Sequence, residues 1–205
     1  MRHRLAFPAF FSAIILLLLL AGCWNPFKPP KEPNGNGGNG GGEILERTSP
    51  ENVLNNLRVI YSEKDAVVNT ADDAHYWAEK YRELFDPEFK FYFIPKDAPP
   101  DLPEPWWGRD GDPGEVVSFE ALLNQIASGE IQGIELSWHV NPAVPDNRVE
   151  HPDWMWIHVG SVLLDVMKAD GDILRVSNGE ADFYFGADPA DSTLWVVTEW
   201  WDRQP

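Results

Sequence analysis

Two pairs of side chains in this sequence have the spacing that acid–base chemistry requires. Asp182 and Tyr184 are two residues apart in one predicted strand, and Glu135 and His139 are four apart in another. Because side chains alternate along a strand, the members of each pair share one face. A carboxylate beside a phenol or an imidazole can take up and return a proton. Such pairs also arise on any exposed strand face, so the sequence assigns no catalytic residue.

Metal and cofactor chemistry has little support in the sequence. The histidines are not spaced as pairs of metal ligands: His75, His139, His151 and His158. Asp170-Gly171-Asp172 suggests calcium, but the remaining loop ligands are missing and a hairpin turn accounts for the segment. Nothing resembles a nucleophile elbow, a phosphate loop or a dinucleotide fingerprint. We therefore expect no metal and no cofactor.

The amino terminus predicts a signal peptide over residues 1–22, followed by a lipid-modified cysteine. A short basic start precedes an apolar run, which is the pattern of a secretory signal. Leu20-Ala21-Gly22-Cys23 resembles the bacterial lipobox, in which the cysteine thiol accepts diacylglycerol. Cys23 is the only cysteine in the chain, so it has no internal disulfide partner. An uncleaved membrane helix is the alternative, although the run falls short of the roughly 20 apolar residues that spanning requires.

The charge of the chain excludes one class of partner. Loss of Arg2 and Arg4 with the signal peptide leaves 14 basic against 33 acidic residues, a formal charge of −19. A field of this sign repels phosphate backbones and anionic headgroups, so we expect no nucleic acid partner. The protein must then be held on its membrane through lipid rather than through basic residues.

The composition divides the chain after the signal peptide into a tether and one domain. Residues 23–47 contain the lipidated cysteine and a stretch rich in glycine, asparagine and proline, which is too polar to collapse. Residues 48–205 have the length of one ordinary domain. We expect the protein in the cell envelope, on the outer membrane or the extracytoplasmic face of the inner membrane. Trp24 after the cysteine, in place of aspartate, favours the outer membrane.

The domain is predicted to contain three helices and a sheet. Helices are predicted from Ser49-Pro50-Glu51, from Thr70 to Asp86-Pro87, and from Ser118 to Gly129. Strands are predicted over 89–94, 134–140, 154–168, 173–185 and 194–201. The last four have short connections and should pair antiparallel. The proline-rich stretch 95–114 is predicted to be irregular, with Trp106-Trp107 either pinning it to the domain or closing over a cavity mouth.

Several local phrases carry a resemblance to a known superfamily. They are Ser49-Pro50-Glu51-Asn52-Val53-Leu54-Asn55-Asn56-Leu57, Leu84-Phe85-Asp86-Pro87-Glu88-Phe89, Gly179-Glu180-Ala181-Asp182-Phe183-Tyr184-Phe185 and Leu194-Trp195-Val196-Val197-Thr198-Glu199-Trp200. In order and spacing the chain resembles the nuclear transport factor 2-like superfamily, and particularly its bacterial lipoprotein members of unassigned function. The resemblance implies an α+β fold in which three N-terminal helices pack on a curved, mostly antiparallel sheet, the cystatin-like or nuclear transport factor 2-like cone.

The resemblance also implies a cavity between the helices and the curled sheet. Trp138 lies on the apolar face of its strand, while Trp156 and His158 share one face of the next. Together with Tyr184 from the adjoining strand, they are the predicted ligand-binding residues. We expect any ligand to be held mainly by aromatic packing, and His158 to be a structural hydrogen-bond donor rather than a base.

Three functions follow from this interpretation. The first is a membrane-tethered, non-catalytic domain that binds a small apolar or aromatic ligand in its cavity. The second is a small lyase or isomerase with the acid–base chemistry of steroid isomerases or polyketide cyclases, as the resemblance implies. The third is an interaction module in which the sheet pairs with a partner, including a second copy in a homodimer. Fold does not decide between them.

We predict that Cys23→Ser releases the protein from membranes or blocks its maturation, because the substituted side chain lacks the thiol that carries the lipid. Fractionation in high salt and the mass of the mature protein measure both effects. A variant that keeps the mature size and still sediments with membranes would contradict the lipidation.

Overall fold

The computed structural model describes residues 43–62, 68–94, 106–111 and 113–203. The predicted signal peptide, Cys23 and most of the predicted tether lie outside these residues, so what was inferred about them stays a prediction. Within the described ranges, no helix is both long enough and apolar enough to cross a membrane.

The first two helices begin at capped residues. Helix α1 spans Pro50–Ser62, and the hydroxyl of Ser49 accepts a hydrogen bond from the amide of Asn52. Helix α2 spans Ala71–Arg82, and Thr70 caps it in a reciprocal capping box with Asp73. These side chains satisfy amide groups that the helix itself leaves without partners. Ser49 is the predicted cap, and α2 begins next to Thr70, where the sequence predicts its start.

Helix α3 spans Glu115–Ala127 and begins earlier than the sequence predicts. Ser118, the predicted cap, lies inside the helix, and the cap position is occupied by Gly114. The end agrees with the prediction, since Gly129 adopts a φ of 78°. Its amide donates to the carbonyl of Ile126, and the next amide donates to Gln125, which is a Schellman ending.

The described strands form one mixed sheet in the order β2-β1-β7-β6-β5-β3, with β4 also paired to β5. The strands are β1 (Phe85–Tyr92), β2 (Trp106–Gly108), β3 (Ile131–Val140), β4 (Val144–Pro145), β5 (Met155–Lys168), β6 (Ile173–Ala187) and β7 (Trp195–Arg203). The predicted antiparallel pairing of β3, β5, β6 and β7 is confirmed. Strand β1 pairs parallel with β7, which makes the sheet mixed. The domain is thus α+β.

Two predictions about the first strands are wrong. Asp86-Pro87 does not end α2, which stops at Arg82; Pro87 lies inside β1. Pairing with β7 is interrupted between Phe85 and Lys90, so proline's missing amide costs no hydrogen bond there. The stretch containing Trp106 is not wholly irregular, since it includes β2, which pairs antiparallel with β1.

The helices lie against one face of the sheet, which we call the inner face. Helix α1 contacts β3 and β7, and α3 contacts β3. Ile157 and Val159 of β5 and Phe183 and Phe185 of β6 point into this layer and are fully buried. We call the opposite side the outer face.

A bulge in β5 changes which residues face the helices. Val159 pairs with Ala181 and Val162 pairs with Gly179, so Gly160 and Ser161 together oppose one residue of β6. Ser161 takes a φ of 53° to make this possible. Beyond the bulge the inner residues are therefore the even-numbered ones, Val162, Leu164 and Val166.

The segment before α1 is bonded to the domain. The side-chain amide of Asn56, which is buried, donates to the carbonyl of Leu45 and accepts from its amide, both at 2.8 Å. The carbonyl of Arg47 accepts from the amide of Trp195 at 2.7 Å. These contacts precede residue 48, where the sequence places the start of the domain.

Candidate functional site

The sheet separates the four predicted ligand-binding residues. Trp156 and His158 alternate with the buried Ile157 and Val159, so they lie on the outer face. Tyr184 lies between Phe183 and Phe185 in β6 and also faces outward. The expectation that these three residues meet Trp138 inside a cavity is therefore wrong. A ligand-binding role for these three residues stays a prediction, and it would concern the outer face rather than a ligand held by Trp138.

Trp138 is on the inner face, as expected. Its ring meets the ring of Phe183 edge to face, with centroids 6.0 Å apart. Phe183 lies in β6 and is fully buried, which places Trp138 over the core rather than over solvent. Trp138 is half-buried, so part of its surface remains accessible.

Trp138 belongs to a continuous row of aromatic rings on the inner face, which we call the aromatic belt. Its members are Trp138, Phe183, Trp200, Phe91, Trp107 and Phe93. The centroids of Phe183 and Trp200 are 4.7 Å apart, and those of Trp200 and Phe91 are 5.1 Å apart. Phe91 continues the row to Trp107 at 5.6 Å. Five of the six members are half-buried.

One polar atom within the belt has no partner. The indole nitrogen Nε1 of Trp200 is buried and has no hydrogen-bond partner among the described residues. A buried donor without an acceptor costs about 1–3 kcal/mol, so native proteins usually pair such groups. The belt thus contains a hydrogen-bond donor for which the described residues supply no acceptor.

The belt ends at a buried carboxyl group. Glu115, in the first turn of α3, accepts a hydrogen bond from Nε1 of Trp107 at 3.3 Å and one from the hydroxyl of Tyr81 at 2.6 Å. Tyr81 comes from α2 and is fully buried. Its hydroxyl is also hydrogen-bonded to that of Tyr61, which is half-buried at the end of α1. Three helices and β2 therefore meet at one acid.

Burial changes the proton affinity of this cluster. It raises the pKa of Glu115 above its ordinary value of 4.5, and the hydrogen bonds from Tyr81 and Trp107 offset only part of that rise. Burial of their hydroxyl groups, with the charge of Glu115 as the next cause, also raises the pKa of Tyr81 and of Tyr61. A carboxyl group that holds its proton more tightly than usual can act as a hydrogen-bond donor or a general acid.

The outer face carries a second polar network around the three residues that face outward. His158 Nδ1 lies 2.9 Å from Asp182, whose other oxygen accepts from Arg203 at 2.7 Å. His158 is thus bonded as a structural residue would be. The guanidinium of Arg148 lies 3.9 Å above the ring of Tyr184.

The acid–base pairs identified in the sequence are not assembled into a catalytic site. Both oxygens of Asp182 are engaged by His158 and Arg203, so this carboxylate does not serve Tyr184. Glu135 and His139 are exposed on β3. Among the described residues, no three His, Cys, Asp or Glu side chains are placed to hold a metal ion.

Two of the open cavities that the described residues line do not include the belt. One has a volume of about 250 Å³ and lies between the segment before α1 and the end of α2. The other, of about 280 Å³, lies between the end of α2 and the turn before β7. Neither is lined by Trp138, Trp156, His158 or Tyr184.

No family model matches the sequence, and no curated protein is significantly similar to it. Solved structures similar to the chain have the cystatin-like and nuclear transport factor 2-like fold that the sequence resembles. They include a putative scytalone dehydratase from Novosphingobium aromaticivorans, with 13% identity over 74% of this chain and 83% of that one and a TM-score of 0.40.

Two others are a ketosteroid isomerase-like protein from Erwinia carotovora atroseptica and a domain of unknown function with a cystatin-like fold from Nostoc punctiforme. The first has 10% identity over 70% of this chain and 98% of that one, with a TM-score of 0.37. The second has 8% identity over 73% and 75%, also with a TM-score of 0.37. At these identities the likeness concerns the fold alone.

Sequence reasoning missed most of the belt and the whole acid cluster. The signal for the belt was present, because Phe183 and Phe185 are more apolar than Asp182 and Tyr184, which alternate with them. Phe183 and Phe185, the more apolar pair, should therefore face the core. No such signal exists for Glu115, since its partners Tyr81 and Trp107 come from another helix and from β2, and nothing in the spacing joins them.

We expect Glu115→Gln to gain stability over the wild type as the pH rises. Because the folded-state pKa of Glu115 is raised, its contribution to stability is fully present below the unfolded value of 4.5 and is lost as the pH rises through the folded pKa. Glutamine cannot ionise, so the variant lacks this loss. Urea unfolding of both proteins between about pH 4 and pH 8 measures the difference.

Glu88→Gln is the matched control, since Glu88 is exposed in β1. It should follow the wild type at every pH. A constant difference between wild type and Glu115→Gln across the range would show that Glu115 does not titrate as a buried acid.

Proposed function

We propose that this protein is a lipid-anchored domain of the bacterial cell envelope that binds a small, planar, apolar or aromatic molecule against the aromatic belt. The observation that carries the proposal is the belt itself, a row of six touching rings on the inner face of which five members are half-buried. Rings that only filled a core would be buried like Phe183 and Phe185.

The chemistry of the belt suits a ligand with few polar groups. Small-molecule sites are lined mainly by apolar and aromatic side chains, with a few polar groups that fix the orientation. Trp200 would supply one such group through Nε1, which has no acceptor within the described ranges. Aromatic rings in edge-to-face or offset contact contribute about 0.5–1.5 kcal/mol per pair beyond the burial of area.

The charge of the protein further limits the class of ligand that the belt can bind. The chain carries a formal charge of −17, and no basic side chain belongs to the belt. An anion would approach against this field and find no counter-charge among the rings. The favoured ligand is therefore neutral.

The envelope location is supported by the sequence alone. The basic start, the apolar run and Leu20-Ala21-Gly22-Cys23 together support export and lipidation. The glycine-rich stretch that follows supports a domain that stands off its membrane on a flexible tether.

Acid–base catalysis is the second candidate function, and one observation favours it. Glu115 is buried, hydrogen-bonded to Tyr81 and Trp107, and has a raised pKa. Trp107 is also a member of the belt, so a molecule lying on the rings would be close to this acid. In that case the bound molecule would be converted by the wild type and left unchanged by Glu115→Gln.

Coumarin, a neutral planar molecule, is a suitable probe for the belt. We expect it to bind the mature protein saturably in detergent solution, as measured by isothermal titration calorimetry against a detergent blank. Trp138→Ala should weaken binding on the order of tenfold, because it removes one ring of the belt and the apolar area that the ring covers.

Trp156→Ala is the control, since Trp156 is also a half-buried strand tryptophan but lies on the outer face. It should bind coumarin as the wild type does. Absence of saturable binding, or an equal loss in both variants, would contradict the assignment of the ligand to the belt.

A further inference from the structure

A groove at the end of α2 brings three arginines together in an acidic protein. It has a volume of about 280 Å³, and Arg47, Arg82 and Arg109 all line it. They come from the segment before α1, the last residue of α2 and the residue after β2. Phe85 and Val196, each 2% exposed, provide an apolar floor.

Two of these guanidinium groups are already paired. Arg47 contacts Asp188 at 2.8 Å and donates to the carbonyl of Trp195. Arg109 contacts Asp110 at 2.8 Å and donates to the carbonyl of Phe85. Their positions are therefore fixed by the protein, and their charges are largely compensated.

Arg82 differs from the other two because its guanidinium makes no short contact with a carboxylate of the described residues. Its closest carboxylate oxygens, on Glu79 and Asp110, are each 3.5 Å away. Charge-assisted hydrogen bonds between guanidinium and carboxylate are about 2.7–2.9 Å long. The Nε atom of Arg82 is buried and has no hydrogen-bond partner in the described part of the chain. The side chain keeps 37% of its surface exposed, so a ligand can reach the guanidinium.

We propose that this groove binds a small monoanion that carries an apolar group, in the chemical class of aliphatic or aromatic carboxylates. The carboxylate pairs with the guanidinium of Arg82, and the apolar group lies on Phe85 and Val196. Small-molecule sites usually enclose about 300–1,000 Å³, so a groove just below that range suits a ligand of one ring or a short chain.

The charged residues that line the groove favour a ligand with a single negative charge. Glu79 and Glu83 also line the groove and would repel a second one. Glu83, Asp110 and Asp188 are each paired with another basic side chain at 2.8 Å, which leaves Glu79 as the opposing charge without a short ion pair. A bound monoanion replaces the 3.5 Å contact between Arg82 and Glu79 with a shorter and stronger ion pair.

The helix dipole opposes the anion but is the smaller effect. Arg82 is the last residue of α2, where the dipole is negative. A hydrogen bond between a guanidinium and a carboxylate is worth roughly two to three times as much as the interaction of a charge with a helix end. The pairing with Arg82 therefore dominates.

The groove is independent of the aromatic belt, with which it shares no residue. Its test uses the full-length protein in detergent and the resonances of the arginine Nε–H groups in ¹H–¹⁵N spectra. We expect benzoate to shift the Arg82 resonance saturably. Benzamide, which has the same ring without the charge, should leave it in place.

Variants separate the groove from general binding to basic residues. Arg82→Gln should weaken benzoate binding on the order of tenfold, as followed through the Arg47 and Arg109 resonances, because it removes the guanidinium of the groove whose contacts to carboxylates are long. Arg82→Lys keeps the charge without the fork and should bind between the two. Arg58→Gln, which alters an arginine of α1 outside the groove, should bind like the wild type.

Each result decides the proposal. Saturable benzoate binding that is weakened in Arg82→Gln, less so in Arg82→Lys, and unchanged in Arg58→Gln supports it. Absence of saturation with benzoate, an equal shift with benzamide, or unchanged affinity in Arg82→Gln overturns it. Coumarin binding to the belt does not involve Arg82. A negative result for benzoate in the groove therefore does not contradict the function proposed for the belt, which the coumarin experiment tests.

Discussion

The carboxyl group of Glu115 is the contact on which the layer of helices depends. It joins α3 to α2 through Tyr81 and to β2 through Trp107, and the hydroxyl of Tyr61 extends the connection to α1. Removing an acid from water is costly, and the raised pKa of Glu115 reflects that cost. The two donors reduce it by bonding the carboxylate directly. Side chains from four elements are thereby fixed around one group, with Trp107 held at the end of the belt.

The second constraint is the alternation of side chains along strands and the bulges that interrupt it. In β5 the bulge at Gly160 and Ser161 moves the inner positions from odd to even numbers. In β7 a similar irregularity opposite Tyr184 and Phe185 allows both Val197 and Trp200 to face the helices. Trp200 reaches the belt for this reason. Without that shift its ring would face outward, beside Tyr92 and Trp201, whose rings stack at 3.9 Å.

Local features of the fold could be predicted from the sequence because their causes are local. Ser49, Thr70 and Gly129 cap their helices through groups only a few residues away, and the sequence places them correctly. The antiparallel pairing of the last strands follows from their short connections. The position of Pro87 inside a strand has no local cause. It depends on a break in the pairing with β7, a strand that lies far from Pro87 in the sequence.

The candidate site could be predicted only in part. Trp138 was placed on the correct face because β3 alternates clearly between apolar and polar residues. The faces of Trp156, His158 and Tyr184 are not predicted correctly, because aromatic side chains occur on both faces of β5 and β6. Assigning the faces requires a comparison with the apolar residues that alternate with these three. Glu115 and Arg82 depend on contacts between distant segments, which no pattern within one element reveals.

Native mass spectrometry of the protein purified from the membranes of its own host tests most directly whether the aromatic belt is a binding surface. The proposed function predicts a retained neutral small molecule that is released on unfolding. It should be absent from Trp138→Ala and present in Trp156→Ala. A protein that carries no adduct in repeated preparations, or an adduct that survives in Trp138→Ala, would contradict the central claim.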